Sequence, residues 1–263
     1  MSSPLFAAIE LRLAFETEVP EWISGKALHG LAFRYMRAAD ATLSERIHAK
    51  DLKPFTISLL RPVRGSDLEM RWRWTVLDTA LYEALSALLY REWRTSKRRK
   101  LVGETYALSD CQMDGGGRSI LWRPDDLVES ALPDRKAAIR LVSPTAFKSG
   151  GKQVSLFPEP GLVWGGIARR LEKLAPGLPV DPDTVGRLNE LRVSRYHLGT
   201  RQLEFPGFVM KGVQGRIAYD APPSWRKPAL RTLAILLQAA PFLGVGTKTA
   251  HGMGQCRLWK ESP

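Results

Sequence analysis

An α+β protein of two modules is what the sequence predicts, and three observations carry the prediction: a length of 263 residues, one strand that alternates without error, and a secondary-structure order that occurs twice. A chain this long exceeds one average domain and falls short of three. In LEMRWRWTV, residues Leu68, Met70, Trp72, Trp74 and Val76 point one way while Glu69, Arg71, Arg73 and Thr75 point the other, the period of a half-buried strand. The first half reads strand, helix, strand, strand, helix, strand, and the second half can be read the same way. This is the split βαβ order of ferredoxin-like (RRM-like, βαββαβ) domains, here expected in tandem.

Residues 5–15 (LFAAIELRLAF) are rich in strand formers, and beyond Pro20 a helical pattern runs from Trp22 to about Ala39. A short helix around Leu43 and Ile47 follows. PFTISLL, from Pro54, reads as a strand broken by Pro62 and Gly65. After the alternating strand, Leu77, Leu81, Leu85, Leu88 and Leu89 recur at helical spacing, the helix ends in the basic run RTSKRRK at 94–100, and a strand is expected within 101–112. The Pro- and Asp-containing stretch 123–136 is expected to link a first domain, 1–122, to a second, 137–263. In the second, strands are expected at 138–147, 190–200, 205–220 and 252–260, with helices near 161–174 and 225–238.

Composition narrows the function. Hydrophobic residues at 44% and charged residues at 25% are the balance of a globular chain that can build a core. Against 27 Asp and Glu stand 39 Lys and Arg, a formal charge of +12 that points to a polyanion, with nucleic acid ahead of a membrane surface. The start, MSSPLFAAIELRLAFE, lacks a basic segment before a long apolar run, and the apolar run Leu233 to Leu237 is too short to span a bilayer, so a cytoplasmic protein is expected. Cys111 and Cys256 are too few for a disulfide framework, and no paired Cys or His spacing resembles a zinc site. Without an HExxH motif or a carboxylate-rich loop, chemistry without metal or cofactor is expected.

The sharpest local feature is PFLGVGTKTAHGMGQCRL, in which Gly244, Gly246, Gly252 and Gly254 lie between an apolar helix and a final strand. Glycine admits positive φ and lets backbone approach a ligand closely, so such a loop can offer N–H groups to phosphates, with Lys248 adding charge. It is not a phosphate-binding Walker loop, because Thr247 precedes the lysine and no strand precedes the loop. A Gly-rich loop after an apolar helix near the C-terminus resembles the repeat-associated RNA-binding proteins of CRISPR systems. Together with SPTAF at 143–147, KGVQGRIAYD at 211–220 and the early GKALHGLAF, it resembles their repeat-processing endoribonucleases. The family has an aromatic residue where Met253 stands in GMG, and KGVQG replaces its GFVG-like turn. The resemblance implies tandem ferredoxin-like domains and cleavage of precursor CRISPR RNA within each repeat. Its partners would be the CRISPR repeat RNA and other subunits of a CRISPR effector complex, with the protein a monomer or homodimer.

Four histidines can carry such chemistry: His29, His48, His197 and His251. On a helical wheel Leu28, Leu31, Ala32, Tyr35 and Ala39 form the buried stripe; His29 flanks it on a basic side with Lys26 and Arg37. The resemblance implies that a histidine on the first helix of the first module acts in catalysis, and His29 holds that place, with His48 as the second candidate. The reaction implied is attack of the ribose 2′-OH on the adjacent phosphorus, expelling the 5′-oxygen to leave a 2′,3′-cyclic phosphate and a 5′-OH. It needs a base, an acid and positive charge, each acid–base contribution being roughly 10²- to 10⁴-fold. Two histidines fill two roles; alternatively Lys26 or Tyr35 supplies one. RNA contacts are expected from His251 in the Gly-rich loop, from Lys148 and Lys152 in KSGGK, and from Arg192 and Arg195. A non-catalytic RNA-binding subunit of an effector complex, with His29 a spectator, is the alternative reading.

Overall fold

A computed structural model describes residues 5–20, 23–148, 154–205 and 207–260. The chain divides into two compact units: Met1–Trp122 with Ala250–Gly252, and Arg123–Thr249 with Met253–Pro263.

The first unit contains, in chain order, β1 (Phe6–Phe15), α1 (Gly25–Ala39), α2 (Ala41–Ala49), β2 (Phe55–Ile57), β3 (Arg61–Pro62), β4 (Glu69–Val76), α3 (Thr79–Arg94), β5 (Arg99–Leu101), β6 (Glu104–Gln112) and β7 (Ile120–Trp122). Its antiparallel sheet has the order β2-β4-β1-β6-β5, with β3 on β4 and β7 on β1. β1 is central because it is apolar almost throughout, and it pairs Ile9 with Trp74 and Leu11 with Trp72 of the alternating strand. Those two indoles are fully buried, joined by Leu28, Leu31 and Tyr35 of α1 and by Leu81, Leu85 and Leu89 of α3. Fully burying one such aliphatic side chain stabilises by about 1.5–3 kcal/mol, so this apolar face holds the helices on the sheet.

The second unit contains α4 (Pro124–Ser130), β8 (Lys136–Thr145), β9 (Phe147–Lys148), β10 (Val154–Ser155), α5 (Pro160–Leu174), α6 (Pro182–Gly186), β11 (Arg192–Phe205), β12 (Phe208–Asp220), α7 (Lys227–Leu243) and β13 (Cys256–Leu258). Its main sheet runs β11-β12-β8-β13, all antiparallel. Taking β8, β11, β12 and β13 as the four strands of a βαββαβ unit, the spatial order is second, third, first, fourth. The four strands β1, β2, β4 and β6 of the first unit lie in that same order. One sheet face is apolar, with Ile139, Leu141, Ile217 and Tyr219 buried, and Trp164 of α5 packs edge-on against Tyr219 at 5.5 Å between ring centroids.

The stretch 123–136 departs from the expected linker. Pro124 opens α4, the Asp126 carboxylate accepts from the Arg123 N–H at 2.7 Å, and Leu127 is fully buried. Arg231 of α7 donates to the carbonyls of Val128 and Ala131, which fastens the segment to the second unit.

Candidate active site

In the first unit, α1 and α2 meet at a single residue. Asp40 ends α1, its N–H donating to the Met36 carbonyl at 2.8 Å, and caps α2, its carboxylate accepting from the Leu43 N–H at 2.8 Å. Serving as a C-terminal stop and an N-cap at once, it leaves no loop between the helices and turns α2 back along α1. As a result Phe33 of α1 lies between two imidazoles: His29 at 4.9 Å and His48 at 5.0 Å between ring centroids, both edge-on. These three rings, with Gly30, Arg37 and Glu45, line an open cleft of about 330 Å³.

His29 is further fixed from the side of residues 250–252. Its Nδ1 lies 2.8 Å from the Ala250 carbonyl oxygen. A carbonyl can only accept, so Nδ1 carries the proton and Nε2 is the ring nitrogen whose protonation can change. The His251 ring stacks on His29 with 3.9 Å between centroids and 11° between planes. Two glycines permit this approach. A Cβ on Gly25 would lie 2.0 Å from the His251 carbonyl oxygen, and Gly252, at φ +87°, bridges to Ser58 where a Cβ would meet the Leu59 side chain at 2.5 Å.

The candidates from the sequence separate clearly. His29, His48 and His251 come together in the first unit, and Lys26 is exposed one turn before His29. Tyr35 does not join them, and its candidacy is corrected. Its side chain is buried, with its hydroxyl 3.0 Å from that of Tyr106 and the Arg99 guanidinium 4.4 Å from its ring centroid. Burial pushes the Tyr35 phenol well above its ordinary pKa, with Tyr106 adding to the shift, and raises Tyr106 to about 12. A phenol so enclosed has no path to a surface-bound phosphate.

In the second unit Lys148 is exposed at the end of β9, Arg192 and Arg195 are exposed on β11, and Lys152 lies outside the described residues. The glycines of the loop serve close packing of backbone. Gly246 and Gly254 have positive φ, and a Cβ on either would fall 2.3 Å from the Ala146 oxygen or 2.0 Å from the Val245 oxygen. The N–H groups of Val245, Thr247 and Gly254 are taken by the carbonyls of Gly254, Ala146 and Pro144, and that of Met253 by Lys248. These four therefore do not point outward to phosphates, which corrects the expectation for that part of the loop. Lys248 projects over the stacked rings of Phe205 and Phe208, at 5.1 and 5.3 Å from their centroids.

Sequence reasoning missed Arg170. From α5 its guanidinium donates to the carbonyls of Leu243 and Gly244, each at 3.0 Å, and to that of Gly246. Burial, with help from neighbouring Arg169, lowers its pKa to about 10. The signal was present: Arg170 stands three residues after Ile167 and one before Leu171, both buried, so a cation falls beside the core stripe of an amphipathic helix.

Residues 139–256 match the family model of CRISPR-associated endoribonuclease Cas6. Among solved structures, a Cas6 product complex has a TM-score of 0.83 at 24% identity, covering 98% of this chain and 100% of that chain. The Cas6 of Thermus thermophilus has a TM-score of 0.76, also at 24% identity and with the same coverage. The product of a Cas6-related gene from Pyrococcus furiosus has a TM-score of 0.65 at 12% identity, covering 98% and 100%. No curated protein matches the chain. The structural likenesses establish tandem ferredoxin-like domains.

Proposed function

We infer that this chain, which resembles the CRISPR-associated endoribonuclease Cas6 family in sequence over residues 139–256 and in fold over nearly its whole length, is an endoribonuclease that processes precursor CRISPR RNA by cutting within each repeat. The observation that carries the reading is the pair His29 and His48 on one cleft, with His29 Nδ1 held 2.8 Å from the Ala250 carbonyl oxygen; in this reading Nε2 is the atom that transfers the proton.

The reaction needs no water. The ribose 2′-oxygen attacks the adjacent phosphorus while its proton passes to one imidazole nitrogen; the P–O5′ bond breaks, and the other imidazole, protonated, gives its proton to O5′. The products are a 2′,3′-cyclic phosphate and a 5′-OH, and the two histidines have exchanged protonation states. Lys26, exposed on the His29 side of α1, supplies positive charge for the phosphorane. No metal enters any step. RNA is drawn in by the net charge of +12 and contacted by Lys148, Arg192, Arg195, Lys248 and the 250–252 segment; KSGGK extends this basic stretch in sequence to Lys152.

The test is cleavage of repeat RNA in EDTA, beside RNA carrying a 2′-deoxy sugar upstream of the cut, with His29→Ala in parallel. Single-site cleavage that survives chelator, stops with the deoxy substrate and drops roughly 10²- to 10⁴-fold in the variant is expected. Tight binding without cleavage by the wild type rejects the catalytic reading in favour of an RNA-binding subunit.

A further inference from the structure

Beside its two imidazoles, the cleft of the first unit carries a pair of opposite charges that proton transfer does not use. Arg37 stands on α1 one turn beyond Phe33, and Glu45 stands on α2 one turn before His48. Because α2 turns back along α1 from Asp40, both charges are displaced from the histidines in one direction, toward the elbow where the helices join. Arg37 follows His29 by eight residues, about 12 Å along the helix. The cleft therefore has an imidazole end and a charged end, with the partly exposed Phe33 between them, and its volume of about 330 Å³ is in the range of small-ligand sites.

A carboxylate at this place needs a physical reason. The ligand is read as a polyanion, and a negative group lining the cleft repels phosphate. Glu45 is not there to answer a cation of the protein either. Both Glu45 and Arg37 are exposed, and among the described residues neither forms an ion pair or a side-chain hydrogen bond, with the other or with any further group. An acceptor pair and a donor fork, both uncommitted and at one end of a cleft, fit the edge of a nucleobase. Guanine offers N1–H and N2–H side by side, which match the two oxygens of a carboxylate, and beside them O6, which matches a guanidinium. Adenine and cytosine offer one amino group next to a ring acceptor, and uracil offers one N–H between two acceptors, so each would turn an acceptor toward a carboxylate oxygen.

We propose that the elbow end of the cleft reads a guanine in a nucleotide flanking the scissile phosphate, with Glu45 accepting from N1–H and N2–H and Arg37 donating to O6. The proposal rests on the RNA-processing reading above and deepens it, since it names a base that selects where along the repeat the histidines act. That base is unpaired when bound, because pairing would occupy the same edge.

The experiment titrates guanosine, adenosine, cytidine and uridine 3′- and 5′-monophosphates into the full chain, following the NMR shifts of the histidine ring protons, for wild type, Glu45→Gln and Arg37→Gln. The two series place the base on either side of the phosphate. Both side chains are exposed, and a thermal melt confirms that the variants fold. The expected result is a wild type that binds guanosine about fivefold or more tighter than the other three in one series, the low end for a good bidentate pair. Glu45→Gln removes that preference, and it binds the other three at least as well as the wild type does because a charge that repels phosphate is gone. Arg37→Gln weakens all four, guanosine most. Equal binding of the four bases by the wild type, or no binding of any, overturns the proposal. So does a guanosine preference that persists in both variants, or a Glu45→Gln variant that gains affinity for all four alike. Cleavage of repeat RNA by the same preparations separates the two readings: guanosine preference without any cutting refutes the nuclease and leaves the base pocket standing, whereas cutting without guanosine preference does the reverse.

Discussion

His29 and His251 lie face to face, 3.9 Å apart and nearly parallel, and the carbonyl of the residue before His251 accepts from His29 Nδ1. Two neighbouring residues thus hold one imidazole from two directions, by plane and by tautomer. The expected consequence is that His251→Phe, which keeps a flat ring, retains more cleavage than His251→Ala, which removes the support. Single-turnover rates on repeat RNA check this: a loss of roughly tenfold is expected for alanine, set against the 10²- to 10⁴-fold loss in His29→Ala. If phenylalanine is as damaging as the loss of His29, then His251 moves a proton itself and is more than a support.

Gly25 should be the most sensitive glycine of α1. Its missing Cβ would sit 2.0 Å from the His251 carbonyl oxygen, whereas a Cβ on Gly30, in the same helix, meets nothing within 4 Å. Gly25→Ala forces α1 and the 250–252 segment apart and takes the Ala250 carbonyl from His29, so the cleavage rate falls at least tenfold at saturating RNA. Gly30→Ala instead gains about 0.5–1 kcal/mol of stability from helix propensity. Urea melts and saturating-substrate rates on the two variants decide the matter, and equal rates would dismiss the contact.

Alkaline titration should show that the tyrosines are not equivalent. Tyr35, Tyr106 and Tyr219 are raised by burial, Tyr106 to about 12. The native state therefore holds these protons more tightly than the unfolded chain, whose phenols ionise near 10. Their contribution to stability is complete below pH 10 and is lost as pH rises from there through the folded values. Absorbance at 295 nm should show these three phenols ionising only with unfolding, and a native chain in which all six tyrosines ionise near pH 10 would contradict the burial.

The βαββαβ order of the first unit was legible because it is written in long apolar periodicities: the alternation ending at Trp74 and Val76, and the leucines of α3. Short pieces such as β3 and β5 were not, since two or three residues carry no period. α4 was hidden behind its Pro and Asp content, although Pro124 followed by two acids is itself a helix start. For the site, the wheel placed His29 beside the core, yet it also put Tyr35 in the buried stripe, which already argued against a catalytic phenol. The link between His29 and Ala250 spans 221 residues, and local pattern has no means of showing a contact formed only by the fold.

Arg170 tests whether the Gly-rich loop owes its shape to one side chain. Its guanidinium is the donor for three carbonyls, those of Leu243, Gly244 and Gly246, where α7 ends and the loop begins. A cation held there at a pKa near 10 is paying for its own desolvation, which the fold tolerates only because the last carbonyls of a helix are otherwise unsatisfied. Arg170→Met keeps the packing volume but removes all the donors, and the cost expected is about 2–4 kcal/mol, less than three full unsatisfied-acceptor penalties because the buried charge disappears as well. Arg170→Lys keeps the charge but replaces the guanidinium fork with a single ammonium that cannot span all three acceptors, so it should recover part of the stability. If the loop's shape matters for RNA, both variants weaken repeat-RNA binding in the same order, methionine more than lysine, while the cleavage rate of bound RNA stays near that of the wild type. A methionine variant that melts and binds like the wild type would show that the loop's own glycine-mediated backbone contacts suffice to hold it.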